Sequence, residues 1–526
     1  MFLGFEATGF HALGEAPEDR FAVAGSSSLS VDWEVIIYAA THEIITRPDD
    51  DPADQMLKGT LEKAFRIDRN VLGANRIGEQ VTIGFGEVTL TNVEGDYDFL
   101  SIDNTPQGQR IDIRMGDRTK PYATWRTILS GFMTDHRIDR DKITFRLRDA
   151  GHQLDVPLSP NVYAGTGGQE GGEDLEGKRK PRWFGWLKEV SPVLVIPASL
   201  AYQLNDGEIN SVSNVYVRGV ALSFDSDHAS VTEMNAASLS VGEYATCLAE
   251  GWVRIAVAGG SEIGQVTVDF AGDKAGGVFV QTTADIVRRM LGVTTIADPA
   301  DLVTLSFSEL NTVQPAPVGV GIPAGDESTV AQVAGRLMAG IGGWLGARRN
   351  RKFEVRRLEV PVAPPNAAYS KQNVEDVATI PMPTDISPPP WRIRVGWGRI
   401  FTPGQTNLAG TVTEERRAYL AEEVRFASAE NVSVQLDFPP GREYVKGDTF
   451  FRDAADALDE AERLGVLYWS PRALYVFALS EPLFMHELGQ VVSLEFDRFD
   501  LAAGKLLTIV RMTEDDIEGV ELTAFG

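Results

Sequence analysis

Apolar and polar residues alternate with period two along Gln80–Val93, Gln109–Met115, Asp141–Asp149 and Asn431–Phe438. That spacing predicts strands with one buried and one solvated face, as in antiparallel sheet. Clusters of Gly, Asn, Asp and Pro separate the runs, where turns require them. Helical spacing is rarer. Thr283–Leu291 reads as a helix closed by Gly292, and Glu327–Gly343 as one capped by Ser328. Phe451–Gly465 reads as a helix over 451–464, with Leu458 and Leu464 inside among alanines, acids outside and Gly465 as its stop. The run Asp49-Asp50-Asp51-Pro52 is expected to precede a short helix through Met56, Leu57 and Leu61.

The pattern predicts a mainly β protein with a few short helices, a β-rich α+β chain of several domains. Residues 1–157 form a first β-rich unit. Residues 158–181 are a Gly-rich loop, with six glycines in 162–181. Residues 182–325 form a mixed α+β middle, and 326–390 hold a helix, the strand Arg351–Val360 and two Pro-rich linkers. Residues 391–526 form a second β-rich unit containing the 451–464 helix. No short-period repeat of the solenoid or propeller kind is present.

Composition narrows the function. The 526 residues carry 75 acids against 49 basic residues, a net charge of -26, which repels DNA and disfavours phosphate neutralisation as the main task. One cysteine, Cys247, excludes an intramolecular disulfide and Cys-rich metal sites, and its apolar neighbours make it a core residue. No apolar run reaches the length of a membrane span, and the first twenty residues lack the basic start of a secretory leader. Stable membrane insertion is not expected.

Catalytic motifs are scarce. His42–Thr46 and His486–Gln490 begin like a zinc-protease helix, but neither has the second histidine. Gly504-Lys505 is followed by Leu506, which offers no hydroxyl to a phosphate-bound magnesium. Gly319–Gly325 misses the dinucleotide spacing, and Pro323 sits where the helix would begin. Gly260-Ser261-Glu262-Ile263 lacks the glycines of a nucleophile elbow. No catalytic residue, cofactor or metal is therefore expected, and the chain reads as a non-enzyme. Trp183, Trp186, Trp391 and Trp397 could serve as sugar platforms, but core or interface packing is the favoured account of them. Lys178, Arg179, Lys180 and Arg182, and Arg348, Arg349, Arg351 and Lys352, stand out as basic clusters. With Trp183 and Trp186 they are the candidate interface, facing an acidic neighbour or solvent.

The segment Ala164–Val195 resembles tail proteins of tailed bacteriophages and prophages, in which a G-T-G-G-x-E-G-G-x-D-L-x-G-K-x-K-P stretch precedes an aromatic-Gly turn and a Ser-Pro-Val-Leu strand. Leu200–Leu222, Gly242–Ile255, Gly340–Glu359 and the ending Arg498–Gly526 are similar to later pieces of that family. The resemblance covers about 164–360 and the C-terminal quarter; the first 160 residues match by layout alone. Arg182–Leu187 departs from the pattern in being more aromatic and basic. The resemblance implies the tail-tip or baseplate hub, a ring of three copies in which each chain supplies two β-barrel-like domains, here 1–157 and 391–526. Six similar surfaces would then fit a threefold tip to a sixfold tail tube. It also implies the partners: further copies of this chain as a homotrimer, distal-tail or tail-tube ring proteins, the tape-measure protein, and tail-fibre or tip proteins. Phage DNA would pass the lumen without specific binding. The location implied is the distal end of the virion tail. An acidic lumen would keep phosphates from adhering. Two other readings remain: a host-receptor binder using loops such as 164–180, and a tail-associated carbohydrate-degrading enzyme.

Overall fold

A computed structural model describes residues 2–12, 33–73, 75–84, 86–101, 108–117, 119–258, 263–293, 299–480, 486–515 and 519–526. The Gly260–Ile263 motif and part of the stretch read for a leader lie mostly outside these residues.

The fold is mainly β, built from several sheets with short helices between them. Period-two alternation accounts for the first. In Lys142–Arg148, Ile143, Phe145 and Leu147 are buried while Lys142, Arg146 and Arg148 are exposed. This strand belongs to a seven-stranded sheet running Trp33–Ala40, Phe2–Ala12, Arg110–Gly116, Arg126–Ile138, Lys142–Arg148, Glu87–Thr91, Leu61–Lys63. Two five-stranded sheets form the middle. One is centred on Val266–Asp273, between Ile209–Val217 and Arg182–Val190. The other is centred on Trp252–Ile255, between Ala201–Gln203 and Glu243–Cys247.

The last large sheet has eight strands, and it crosses the sequence. The first half of Lys505–Asp515 pairs with Val491–Leu494. Its second half pairs with Arg66–Leu72, from Arg511 opposite Asn70 to Asp515 opposite Arg66. Arg66–Leu72 pairs in turn with Ile77–Gly84. A hairpin from the first β-rich stretch therefore completes the sheet of the last one. A single apolar core follows that path, from Ile37 through the Thr283–Leu291 and Val330–Gly340 helices to Phe525. A smaller sheet, Arg425–Glu430, Arg392–Trp397 and Glu443–Phe451, packs one face on the helix Ala454–Tyr468.

Four expectations need correction. The helix through Met56 and Leu61 is instead a hairpin, Met56–Leu57 against Ile44–Ile45. The acidic run closes its turn, with Asp50 accepting from the Arg47 N–H at 2.9 Å. Asn431–Phe438 is not a strand: Val432–Asp437 is helical, because the Asn431 side chain caps the Ser433 and Val434 N–H groups. The helix at 327–343 begins at Val330, and its cap is Thr329, in a reciprocal capping box with Gln332. The 451–464 helix runs Ala454–Tyr468, passing through Gly465. The Trp469 ring lies 2.7 Å from where a Gly465 side chain would start, so glycine there makes room and does not stop the helix. Leu458 is 38% exposed while Glu460 is 2% exposed, so the inward face of this helix carries an acid that simple apolar spacing would place outside.

Among the described residues no helix is long and apolar enough to cross a membrane. Cys247 is buried in a small core with Tyr163 and Trp252, and burial pushes its thiol up to about 11.

Gly185 and Gly319 are paired where Arg182–Val190 meets Gly319–Ile322. A Cβ on Gly319 would lie 1.8 Å from the Trp186 carbonyl oxygen, so these strands meet at backbone distance. Gly319→Ala is expected to lose more than about 2 kcal/mol in denaturant unfolding, the scale of a strained core substitution.

Candidate assembly interface and its internal charge network

The basic residues near the Gly-rich loop are mostly engaged within the chain. The loop closes on itself, with Tyr163 N–H donating to the Lys178 carbonyl and Gly177 N–H to the Tyr163 carbonyl, both at 2.9 Å. Lys180 pairs with Glu170 at 2.8 Å. Arg179 pairs with Glu327 at 2.7 Å and donates to the Ser159 carbonyl at 2.9 Å. Arg182 and Arg289 grip Asp273, a carboxylate only 1% exposed, at 2.9 and 2.6 Å. Lys178 is exposed. Trp183 is buried edge-on to Phe401. Of the two candidate tryptophans, Trp186 alone is partly exposed, donating from Nε1 to Gln281 Oε1 at 2.8 Å.

The second cluster divides in the same way. Gly343–Ala347 and Phe353–Arg357 form a hairpin whose turn spans Arg348–Lys352. Lys352 is exposed and Arg351 leans over the Phe132 ring. Arg348 points to Glu354, at 2.6 Å, and Arg356 approaches the same carboxylate at 3.0 Å. Arg349, expected at a surface, is 7% exposed and lies inside the molecule. Its guanidinium meets Glu514 at 3.2 Å and Glu487 at 3.1 Å, and donates to the His486 carbonyl at 2.5 Å. Arg69 binds the other Glu487 oxygen, and the Arg349 carbonyl accepts from Ser130 N–H at 2.8 Å. The Tyr369 hydroxyl contacts His486 Nε2, and the other ring nitrogen is 3.3 Å from Gln490 Oε1.

This network joins the first sheet, the hairpin that crosses from it, the middle hairpin and the last sheet. Sequence reading missed Arg69, Glu487 and Glu514, because 418 positions separate Arg69 from Glu487.

Burial raises the Glu487 carboxyl, and Arg69 and Arg349 outweigh it, leaving the group below its ordinary 4.5. A second internal set ties the Ala454–Tyr468 helix down: Glu460 with Arg463 at 2.7 Å and with Arg357 at 3.5 Å. A third lies around Glu189, whose carboxylate, 1% exposed, is bound by Arg416 and accepts from Thr267 at 2.7 Å and Gln405 at 3.1 Å.

A cavity of about 140 Å³ opens where the middle unit meets the small sheet, bounded by Trp186, Lys188, Asp269, Phe401, Phe450 and Arg452. Arg452 lies over the Trp186 ring at 4.0 Å. Among the described residues no group of three His, Cys, Asp or Glu side chains is arranged to hold a metal ion.

No family model matches the chain, and no curated protein matches it. Solved structures similar to it include tail proteins and a virion chain. A tail protein from Neisseria meningitidis MC58 aligns over 99% of this chain and 95% of its own, at 9% identity and a TM-score of 0.39. The 43 kDa tail protein of prophage MuSo2 from Shewanella oneidensis aligns over 92% and 98%, at 10% identity and a TM-score of 0.37. A chain of a native gene transfer agent virion aligns over 71% and 91%, at 16% identity and a TM-score of 0.41.

Two outcomes are expected of the network. Arg349→Met removes the Arg349 ion pairs with Glu514 and Glu487 and is expected to cost about 3–5 kcal/mol in denaturant unfolding. Arg348→Met leaves Glu354 with Arg356 and costs less, and Lys352→Met stays within about 0.5 kcal/mol. Because Glu487 titrates lower folded than unfolded, its stabilisation is complete above pH 4.5 and is lost as pH falls through the folded value. Between pH 7 and about pH 3, Glu487→Gln is therefore expected to lose less stability than the parent.

Proposed function

We propose that this chain is a non-enzymatic structural hub of a phage tail tip or baseplate, assembled as a homotrimer at the distal end of the tail. It joins the sixfold tube end to a threefold tip and surrounds the DNA exit channel. The sequence resemblance from 164 to 360 and in the C-terminal quarter supports this reading. The observation that carries it is the pair of large sheets, seven and eight strands, joined by the crossing hairpin Arg66–Leu72 and Ile77–Gly84. Each chain thereby offers two broad β surfaces held at fixed spacing, and three chains offer six.

A part that transmits load between tube and tip needs domains that do not drift. The buried Arg349 network and the continuous core supply that stiffness. Ring closure also protects sheet edges that would otherwise template aggregation. The neighbours in this reading are tube or distal-tail rings, the tape-measure protein and tip or fibre proteins, and DNA passes without specific contact.

Sedimentation of the purified full-length chain over a range of concentrations tests the assembly. The expected species at high concentration has three times the chain mass of 57.4 kDa. A monomer or dimer at every concentration, with tails also lacking a trimer, contradicts the proposal.

A further inference from the structure

The strands Arg392–Trp397 and Arg425–Glu430 are antiparallel neighbours, and a turn of about two residues would suffice to join them. The chain instead places residues 398–424 between them and sends this excursion across the middle unit. It is attached there along its length. Ile400 lies beside Lys188, and the Phe401 N–H donates to the Lys188 carbonyl at 3.1 Å. The Phe401 ring meets Trp183 edge-on, with centroids 4.9 Å apart. Further along, the Ala409 N–H donates to the Arg218 carbonyl at 2.9 Å and the Arg218 side chain donates to the Asn407 carbonyl at 2.9 Å. Leu408 and Val412 lie against Gly219. Arg416, on the helix Glu414–Ala421, stacks over the Tyr216 ring at 4.4 Å and binds Glu189.

Two properties make this attachment separable from the rest of the fold. The first is thin burial. Ile400, Val412 and Leu420 are the buried apolar side chains of 398–424, and segments with few buried apolar contacts open at low free energy. The second is the anchor. Glu189 holds φ at +50°, a conformation that a residue with a side chain keeps only where its surroundings enforce it. It sits in a bulge, where the register against Val266–Asp273 passes from Leu187 opposite Phe270 to Val190 opposite Val268. The strand on the other side, Ile209–Val217, is irregular at the same place, between Val212 and Asn214. Bulges of this kind re-aim side chains. Three side chains hold the Glu189 carboxylate, and two of them, Arg416 and Gln405, belong to the excursion, with Thr267 the third. Asp269 lies beside it, accepting from the Glu189 N–H at 2.8 Å. Burial, and with it the Glu189 carboxylate, raises the Asp269 carboxyl. Opening admits water to both carboxylates, which offsets part of what the lost contacts cost.

We propose that residues 398–424 are a clasp that opens and recloses over the middle unit while the rest of the chain stays folded, with the Arg416–Glu189 pair as its fastening. Closed, its residues Ile400, Phe401 and Pro403 form one wall of a groove of about 610 Å³ whose other side holds Val190, Val320 and Gly321. Open, it uncovers Trp183, which is 4% exposed in the closed chain. The inference rests on the fold and not on the hub reading, so either can fail alone.

Hydrogen exchange of the full-length chain at neutral pH, read by mass spectrometry, is the test. Peptides covering 401–417 are expected to exchange roughly tenfold faster than those covering Arg392–Trp397 and Val266–Asp273, although the Phe401, Ala409 and Arg417 N–H groups are all hydrogen-bonded. Arg416→Met is expected to speed the 401–417 peptides by about a further tenfold and to leave the two strands as they were. Arg416→Lys, which keeps the charge, should recover part of that protection. Glu414→Gln, at an exposed position on the same helix, should change nothing. Exchange of 401–417 as slow as that of the strands overturns the proposal. So does Arg416→Met speeding all three regions alike, or leaving 401–417 unchanged.

Discussion

A buried guanidinium must be paired, and Arg349 is paired by groups from distant parts of the chain. Its partners arrive from the Lys505–Asp515 strand and from the turn at His486–Glu487, and Arg69 from the crossing hairpin completes Glu487. A charge taken out of water without its partner costs several kcal/mol. All these elements must therefore be in register together or not at all. The crossing hairpin, the shared eight-stranded sheet and the continuous core are what this requirement looks like at larger scale.

The same device recurs. Asp273 is held by Arg182 and Arg289, Glu354 by Arg348 and Arg356, and Glu460 by Arg463 and Arg357. In each case one inward acid takes two arginines. Arginine suits the task because its planar fork satisfies a carboxylate and a carbonyl at once. The chain carries a net charge of -26, and the hub reading uses that acidity as a lumen to which DNA does not adhere.

Much of the sheet was legible in the sequence, because alternation is a local signal. Lys142–Arg148 follows it closely, whereas in Arg110–Gly116 Asp112 is buried between Ile111 and Ile113. Asn431–Phe438 alternates too, yet folds as a short helix because one capping side chain outweighs the pattern over six residues. The Ala454–Tyr468 helix was legible in position but not in facing, since Glu460 is turned inward by arginines from its own helix and from a distant strand. The candidate interface was read from charge runs, and runs do not reveal direction: Lys178 and Lys352 are exposed while Arg349 is enclosed. The bulges beside Asp269 were not legible, because register belongs to a pair of strands and not to either one.

The account holds that stiff chains with two joined β surfaces close into a threefold ring on the tail axis. A reconstruction of the intact tail tip, computed without imposed symmetry, measures this directly. The predicted result is three copies of this chain around the axis, their large sheets facing the tube and their lumen lined mainly by Asp and Glu. Copies placed peripherally, a number other than three, or a lumen lined by Lys and Arg would contradict it.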